Sequence, residues 1–231
     1  MDEPSMRRLA GLRNYGLSIV FGLLLLAALT GQAFTGMAGF NERALDTGLS
    51  EVSIGAYLTS SEFAVDVAEN WQSEYLQFFL YILLTVWLLQ RGSPESKALD
   101  RAGRESDKDQ LVGEYATADS PAWARASGWR RALFSSSLGL VMGFFFLLSW
   151  TAQFIAGRSA YNAGQLVDLQ APVSWSDYLV APDFWNRTLQ NWQSELLAVG
   201  SMVVFSIYLR ERGSPESKPV GTPHSATAVE D

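Results

Sequence analysis

The stretch YGLSIVFGLLLLAALTGQAF, residues 15–34, contains no charged residue. A helix needs about 20 mostly apolar residues to cross the roughly 30 Å hydrocarbon core of a bilayer. A second uncharged stretch, SSSLGLVMGFFFLLSWTAQFI, occupies residues 135–155. Apolar residues are thus grouped in blocks instead of recurring at amphipathic spacing, which favours an integral membrane protein over a soluble one.

Two further apolar blocks are shorter. They are YLQFFLYILLTVWLL at residues 75–89 and LLAVGSMVVFSIYL at residues 196–209. As helices they cover only about 21–22 Å, so each must include the preceding WQSE turn to span a membrane. We therefore predict an all-α integral membrane protein with four transmembrane helices, in which Glu74 and Glu195 lie at or near the membrane boundary.

An internal repeat relates the two halves of the chain at an offset of 121 residues. NWQSE at residues 70–74 recurs at 191–195, and RGSPESK at 91–97 recurs at 212–218. Without a gap, 28 of the 84 positions from 14 to 97 are identical to their counterparts. This pattern predicts two tandem parallel two-helix repeats, residues 14–97 and 134–218. Because the first apolar block has a copy in mid-chain, we interpret it as a retained helix and not a cleaved signal peptide.

Positive charge is concentrated in three segments that the positive-inside rule places in the cytoplasm. They are the N-terminus with Arg7, Arg8 and Arg13, the eight basic residues between the second and third apolar blocks, and Arg210, Arg212 and Lys218 after the fourth. The N-terminus 1–13, the linker 98–133 and the tail 219–231 are therefore predicted to be cytoplasmic, and we expect the tail to be disordered. The two outer loops, about 36–70 and 157–191, contain only Arg43, Arg158 and Arg187 as basic residues. Since each unit has an even number of spans, both units share one orientation, and a pseudo-twofold axis along the membrane normal is predicted.

Composition excludes several classes of site. The chain has no cysteine, and its only histidine, His224, lies in the tail. The usual zinc and general-base constellations therefore lack their members, so we predict no enzyme activity, no catalytic residues, no cofactor and no metal. A net charge of -7 also argues against a nucleic-acid partner.

A small set of polar residues at membrane depth is the candidate site. We expect Gln32 to meet Glu74, and Gln153 to meet Glu195, near the outer ends of the helices. Two roles are open: the carboxylates hold a proton or a cation, or these side chains only fasten helices together. The full cluster comprises Gln32, Asn70, Glu74, Gln153, Asn191 and Glu195.

Several local signals mark helix ends and surfaces. Ser53 and Ser174 suit N-caps, Asp177 completes a capping box, and Pro182 suits a first helical turn. In RGSPESK, Gly92 and Gly213 suit C-caps after the second and fourth helices, although a docking or phosphorylation patch at this motif is the alternative. The Trp and Arg residues of 123–131 favour an interfacial anchor, with lipid binding as the alternative.

With its NWQSE and RGSPESK motifs, and YL and Phe upstream, the chain resembles a family of small, uncharacterised bacterial membrane proteins known as a domain of unknown function. The resemblance covers nearly all of both units. It implies a multi-pass protein of a bacterial cytoplasmic membrane with no assigned activity.

The leading functional hypothesis is a structural, envelope-associated or partner-binding membrane protein. Its partners would be the lipid bilayer and either further copies of the chain or another membrane protein. The alternative is a small proton- or cation-linked channel or transporter that uses Glu74 and Glu195.

Overall fold

The computed structural model describes residues 14–228, and within this range it contains helices and no strand. The all-α prediction is therefore confirmed for these residues. The predicted cytoplasmic segment 1–13 and the last residues, 229–231, lie outside the described range. The α-helices are α1 (Gly16–Asp46), α2 (Ile54–Leu58), α3 (Ser61–Leu84), α4 (Trp129–Ser135), α5 (Ser137–Val167), α6 (Trp175–Leu179) and α7 (Pro182–Tyr208).

Two helices, α1 and α5, are long and apolar enough to cross a membrane. Each has 31 residues, and their most apolar 18-residue windows have mean hydropathies of 2.0 and 1.8. At 1.5 Å per residue each extends about 46 Å, which exceeds the hydrocarbon thickness. Most of their side chains point away from the rest of the chain, since only 6% and 11% of those windows are buried.

The short helices α2 and α6 begin as the sequence predicts. The Ser53 hydroxyl accepts a hydrogen bond from the Ala56 amide, and the Ser174 hydroxyl accepts one from the Asp177 amide. Asp177 also completes the predicted capping box. Pro182 occupies the first turn of α7, where its missing N–H costs nothing. These four predictions are confirmed.

The helix ends after the apolar blocks differ from the prediction. Helix α3 ends at Leu84, where the Thr85 hydroxyl donates to the Tyr81 carbonyl at 2.7 Å, and α7 ends at Tyr208. Gly92 and Gly213 therefore cannot be the helix C-caps. Both have left-handed backbone, with φ of 84° and 88°, but they lie in turns several residues further along the chain.

Helix α5 packs antiparallel along α3. An ideal Cβ placed on Gly157, Gly143 or Gly139 would lie 3.2 Å from Val65, 3.0 Å from Phe79 and 4.0 Å from Ile82, respectively. Small residues at this spacing let two helix backbones approach closely. Helix α7 contacts both α3 and α5. Within residues 14–228, α1 makes no comparable packing along α7, so the contact that the predicted twofold axis requires is not present.

The tail prediction also fails for residues 219–228, which pack against the turn at residues 92–93. Buried Lys218 donates from Nζ to the carbonyls of Gly92 at 2.6 Å and His224 at 3.0 Å. The Gly92 amide in turn donates to the Thr227 hydroxyl at 2.9 Å. The first RGSPESK turn and the tail thus form one folded unit.

Candidate functional site

Each outer loop is held closed by an asparagine on the long apolar helix. The Asn41 side chain on α1 donates to the Val52 carbonyl at 3.1 Å and accepts from the Val52 amide at 2.8 Å. Asn162 on α5 makes the same pair of bonds with Val173, at 3.2 and 2.8 Å. Both loops are therefore tied back to the helix that precedes them.

A buried tyrosine then closes each outer loop against a glycine. Tyr57 of α2 lies over Gly36 of α1, and Tyr178 of α6 lies over Gly157 of α5; the two tyrosines are 1% and 0% exposed. The hydroxyls occupy the space that a Cβ would need, which explains why glycine stands at both helix positions. Burial raises the pKa of Tyr57 and of Tyr178, so both remain neutral. The Tyr178 hydroxyl donates to Asp183 at 3.0 Å.

An ion-pair network joins the N-terminal turns of α7 to the N-terminal turns of α3. The Arg187 guanidinium lies 3.1 Å from Glu69, 3.4 Å from Asp183 and 3.7 Å from Asp66. Burial opposes the charge on Arg187, but hydrogen bonds and charge from Glu69 and Asp183 outweigh it and raise the pKa of the guanidinium. This network lies in the helical turns before Trp71 and Trp192, outside the apolar blocks.

Burial also acts on the acidic partners of Arg187. It raises the pKa of Asp66 and of Glu69, while the positive charge of Arg187 lowers both. Arg187 therefore offsets part of the effect of burial on these two half-buried carboxyls. The sequence offered one signal of this contact, because Asp66 and Arg187 occupy equivalent positions in the repeat and have opposite charges.

The predicted polar cluster is only partly brought together. Gln153 is fully buried, but its Nε2 donates to the Thr188 hydroxyl at 3.2 Å, and no hydrogen bond joins it to Glu195 among the described side chains. Gln32 is half-buried on α1. The expected pairing of Gln153 with Glu195 is therefore wrong. The Gln153 amide bonds instead to Thr188, which lies about two turns before Glu195 on α7.

The remaining members of the cluster serve two different purposes. Asn70 and Asn191 each donate to the backbone carbonyl four residues earlier, at 2.8 Å, and so stay within their own helices. Glu74 is exposed on α3 and Glu195 half-exposed on α7, and the charge of Glu74 acts on Glu195. These two helices contact each other, so the two glutamates form a repelling pair across that contact.

Gln72, which is not in the predicted cluster, joins α3 to α7. Gln72 of α3 is 0% exposed, and its Oε1 accepts a hydrogen bond from the Trp192 indole of α7 at 2.7 Å. Trp192 also packs on Phe146 and Trp150 of α5, with ring centroids 6.3 and 6.0 Å apart. The first turn of the WQSE motif is therefore a junction of three helices.

The two RGSPESK turns have the same internal hydrogen bonds. Ser96 accepts from the Gln90 amide and Ser217 from the Glu211 amide, both at 2.9 Å. At the first turn, the Tyr81 hydroxyl at the end of α3 donates to Glu95. Glu216, the counterpart of Glu95, also reaches it. The two turns thus meet through equivalent carboxyl groups.

A family model with the description Domain of unknown function (DUF6766) matches residues 7–229. The chain belongs to this family. The predicted resemblance to a family of unknown function is thereby confirmed. No curated protein and no solved structure matches the DUF6766 chain.

In this DUF6766 protein, the Glu95 carboxyl titrates near neutrality. Burial, the hydrogen bond to Glu216 and its charge raise the pKa of Glu95 to about 7. No group of three or more His, Asp or Glu side chains in residues 14–228 is placed to hold a metal ion.

The Glu95 carboxyl predicts a pH-dependent stability. Because its pKa is higher in the folded chain than in the unfolded one, its stabilising contribution is complete at low pH and is lost as pH rises through about 7. We expect the detergent-solubilised protein to lose about 1–2 kcal/mol between pH 5 and pH 8, after allowing for solvent screening. Glu95→Gln, which resembles the protonated form, should remove most of that loss.

Thermal unfolding at pH 5, 6, 7 and 8 measures the effect. Glu51→Gln is the control, since Glu51 is exposed in the loop between α1 and α2. An unchanged pH dependence in Glu95→Gln would contradict the assignment.

Proposed function

We propose that this chain is a multi-pass protein of a bacterial cytoplasmic membrane with a structural or partner-binding role in the envelope and no catalytic one. In this proposal α1, α3, α5 and α7 all span the bilayer, as two tandem parallel two-helix repeats. Both termini and the linker 98–133 face the cytoplasm.

The chain path supports four spans. If α1 and α5 cross the membrane in the same direction, the chain between them must return, and α3 runs antiparallel to α5 at close contact over residues 65–82. The inner half of α3 exposes apolar side chains, including Leu83 at 49% and Leu84 at 45%. Helix α7 likewise exposes Leu196 and Phe205 at 53% and 55%. Apolar surface of this kind is compatible with lipid contact.

One observation carries the structural role: the polar side chains between helices bond to one another. Trp192 bonds to Gln72 at 2.7 Å, Gln153 bonds to Thr188 at 3.2 Å, and Arg187 pairs with Glu69 at 3.1 Å. Each contact joins two different helices, and such bonds hold membrane helices together where apolar packing alone does not favour association. The polar residues are thus used as fasteners.

Labelling of single cysteines tests the four-span topology. The chain has no native cysteine, so each introduced thiol reports one position. We expect Leu49→Cys and Ala171→Cys, in the outer loops, to react with a membrane-impermeant maleimide in intact spheroplasts. Leu99→Cys, in the linker, and Val220→Cys, in the tail, should react only after permeabilisation.

All four native residues are exposed, so reactivity depends on the side of the membrane alone. Labelling of Leu99→Cys in intact spheroplasts would show that α3 does not span and would contradict the proposal. Labelling of Val220→Cys would do the same for α7.

Proton or cation conduction is a second candidate, favoured by the Glu74–Glu195 pair on contacting helices. It predicts flux through liposomes that hold the purified protein, and loss of that flux in the Glu74→Gln plus Glu195→Gln variant. The structural role predicts no flux from the wild type. Under that role the double variant changes only the stability, because replacing both carboxylates removes a like-charge repulsion.

A further inference from the structure

Helices α3 and α7 present identical side chains in opposite environments. On α3, Gln72, Ser73 and Leu76 are 0%, 1% and 9% exposed. Their counterparts on α7 are the same residue types, yet Gln193 and Ser194 are exposed and Leu197 is 66% exposed. One face of α7 is therefore uncovered where the equivalent face of α3 is buried.

Helix α5 is what covers the α3 face. Its contact side includes three glycines, with Gly157 against Val65, Gly143 against Phe79, and Gly139 near Ile82. The glycines allow the backbone of α5 to approach the α3 side chains directly. This packing is the most extensive contact between helices in residues 14–228.

Helix α1 carries the same residues on its contact side; Tyr57 covers Gly36, but no other long helix makes extensive contact with α1 in residues 14–228. Gly22, Gln32 and Gly36 occupy the positions of Gly143, Gln153 and Gly157 in the repeat. A Cβ on Gly22 would meet nothing within 4 Å, and the same holds for Gly200 of α7, the counterpart of Phe79. The surface of α1 around Gly22 and the surface of α7 around Gly200 are thus both uncovered, and they correspond to the two surfaces that pack together between α5 and α3.

Lipid is a poor occupant for the α7 face. The Ser194 hydroxyl bonds to the Asn191 carbonyl of its own helix at 2.8 Å, but the exposed Gln193 amide on a membrane-embedded face would lie in hydrocarbon, whereas a protein partner can satisfy it. In the buried copy, the Gln72 Oε1 accepts a hydrogen bond from the indole of Trp192. The equivalent donor for Gln193 is Trp71, which is 42% exposed and free to meet it from another molecule.

We propose that the uncovered face of α7 binds α1 of a second copy of this chain, in the way that α3 binds α5 within one chain. The contact is head-to-tail, because it joins two different surfaces, α7 of one copy and α1 of the next. Repeating such a contact gives a closed ring when the rotations between successive copies add up to a full turn. The inference rests on the proposed membrane location of all four long helices. In the assembly, Trp71 of one copy donates to Gln193 of the next.

Disulfide trapping between two differently tagged chains tests this contact. Ser18 and Val203 are the counterparts of Gly139 and Ile82, which face each other: an ideal Cβ on Gly139 would lie 4.0 Å from the Ile82 Cγ2 atom. One chain carries Ser18→Cys and the other Val203→Cys, co-expressed in the same membranes and oxidised there. We expect a disulfide-linked heterodimer on a non-reducing gel, and no dimer when either chain is expressed alone.

The positive control is Ile82→Cys plus Gly139→Cys in one chain, which should close within the molecule and shows that α3 and α5 pack as described. If that control closes and the mixed chains do not link, the proposal is overturned. Closure of Ser18→Cys plus Val203→Cys within a single chain also overturns it, because α1 would then cover its own α7. The maleimide labelling pattern separates these outcomes from failure of the membrane topology.

Discussion

Replacing Gly157 with alanine is expected to lower the free energy of unfolding by about 2 kcal/mol, although glycine-to-alanine changes inside helices usually stabilise. The new Cβ would lie 2.5 Å from the Tyr178 hydroxyl and 3.2 Å from Val65. The tyrosine cannot move aside easily, because it is 0% exposed and bonded to Asp183. In detergent, the unfolding midpoint should fall by about 4–8 °C.

Gly164→Ala is the matched control, since it lies on the same helix with nothing within 4 Å of its Cβ position. This variant should gain up to about 1 kcal/mol from helix propensity. In the Tyr178→Phe background, Gly157→Ala should cost clearly less, because the clashing hydroxyl is gone. Equal costs in both backgrounds would refute the proposed tyrosine–glycine contact.

Replacing Arg187 with alanine is the second large change. It leaves Asp66, Glu69 and Asp183 without their shared cation, and unpaired charges that are partly buried destabilise strongly. Because these side chains keep about a sixth to a third of their exposure, we expect a loss of about 2–3 kcal/mol at pH 8.

The loss should be smaller at pH 5. Burial already raises the pKa of Asp66 and Glu69 against the effect of Arg187, so without the arginine these carboxyls take up protons more readily as pH falls. Arg43→Ala serves as control, because its pair with Glu62 is 65% exposed on the arginine side and should contribute less than about 1 kcal/mol. Thermal unfolding of both variants at pH 5 and 8 would decide; a pH-independent loss for Arg187→Ala would count against the network.

Local chemistry made some features predictable. The uncharged blocks identify α1 and α5, and the serine caps and Pro182 mark helix starts, because capping depends on neighbouring residues only. The end of α3 could not be read in the same way, since the residues after Leu84, TVWLL, are as apolar as those before it. The stop depends on the turn that Thr85 and the following residues make with the loop at 90–103.

The site was less predictable because its contacts join residues that are far apart in sequence. The predicted contact of Gln153 with Glu195 assumed that residues at equal membrane depth meet. The Gln153 amide instead donates to Thr188, and the repeat gave no sign of this bond because the counterpart of Thr188 is Val67. The repeat has glycine at both equivalent positions, Gly36 and Gly157, but the sequence does not show that each glycine faces a tyrosine. The repeat also suggested a twofold axis between the two units. In the structure, α3 of the first unit packs on α5 of the second, but α1 and α7 make no equivalent contact.

The bonds of Lys218 set an order for the biosynthesis of the molecule. Its amine donates hydrogen bonds to the carbonyls of Gly92, Pro223, His224 and Ala226. These bonds cannot form until residues that follow every described helix have been synthesised. Until translation has passed them, the first RGSPESK turn lacks the partners that Lys218 and Thr227 supply. A nascent chain halted after α7 would therefore carry a complete set of long helices while the turn at residues 92–93 still lacked its partners from the tail.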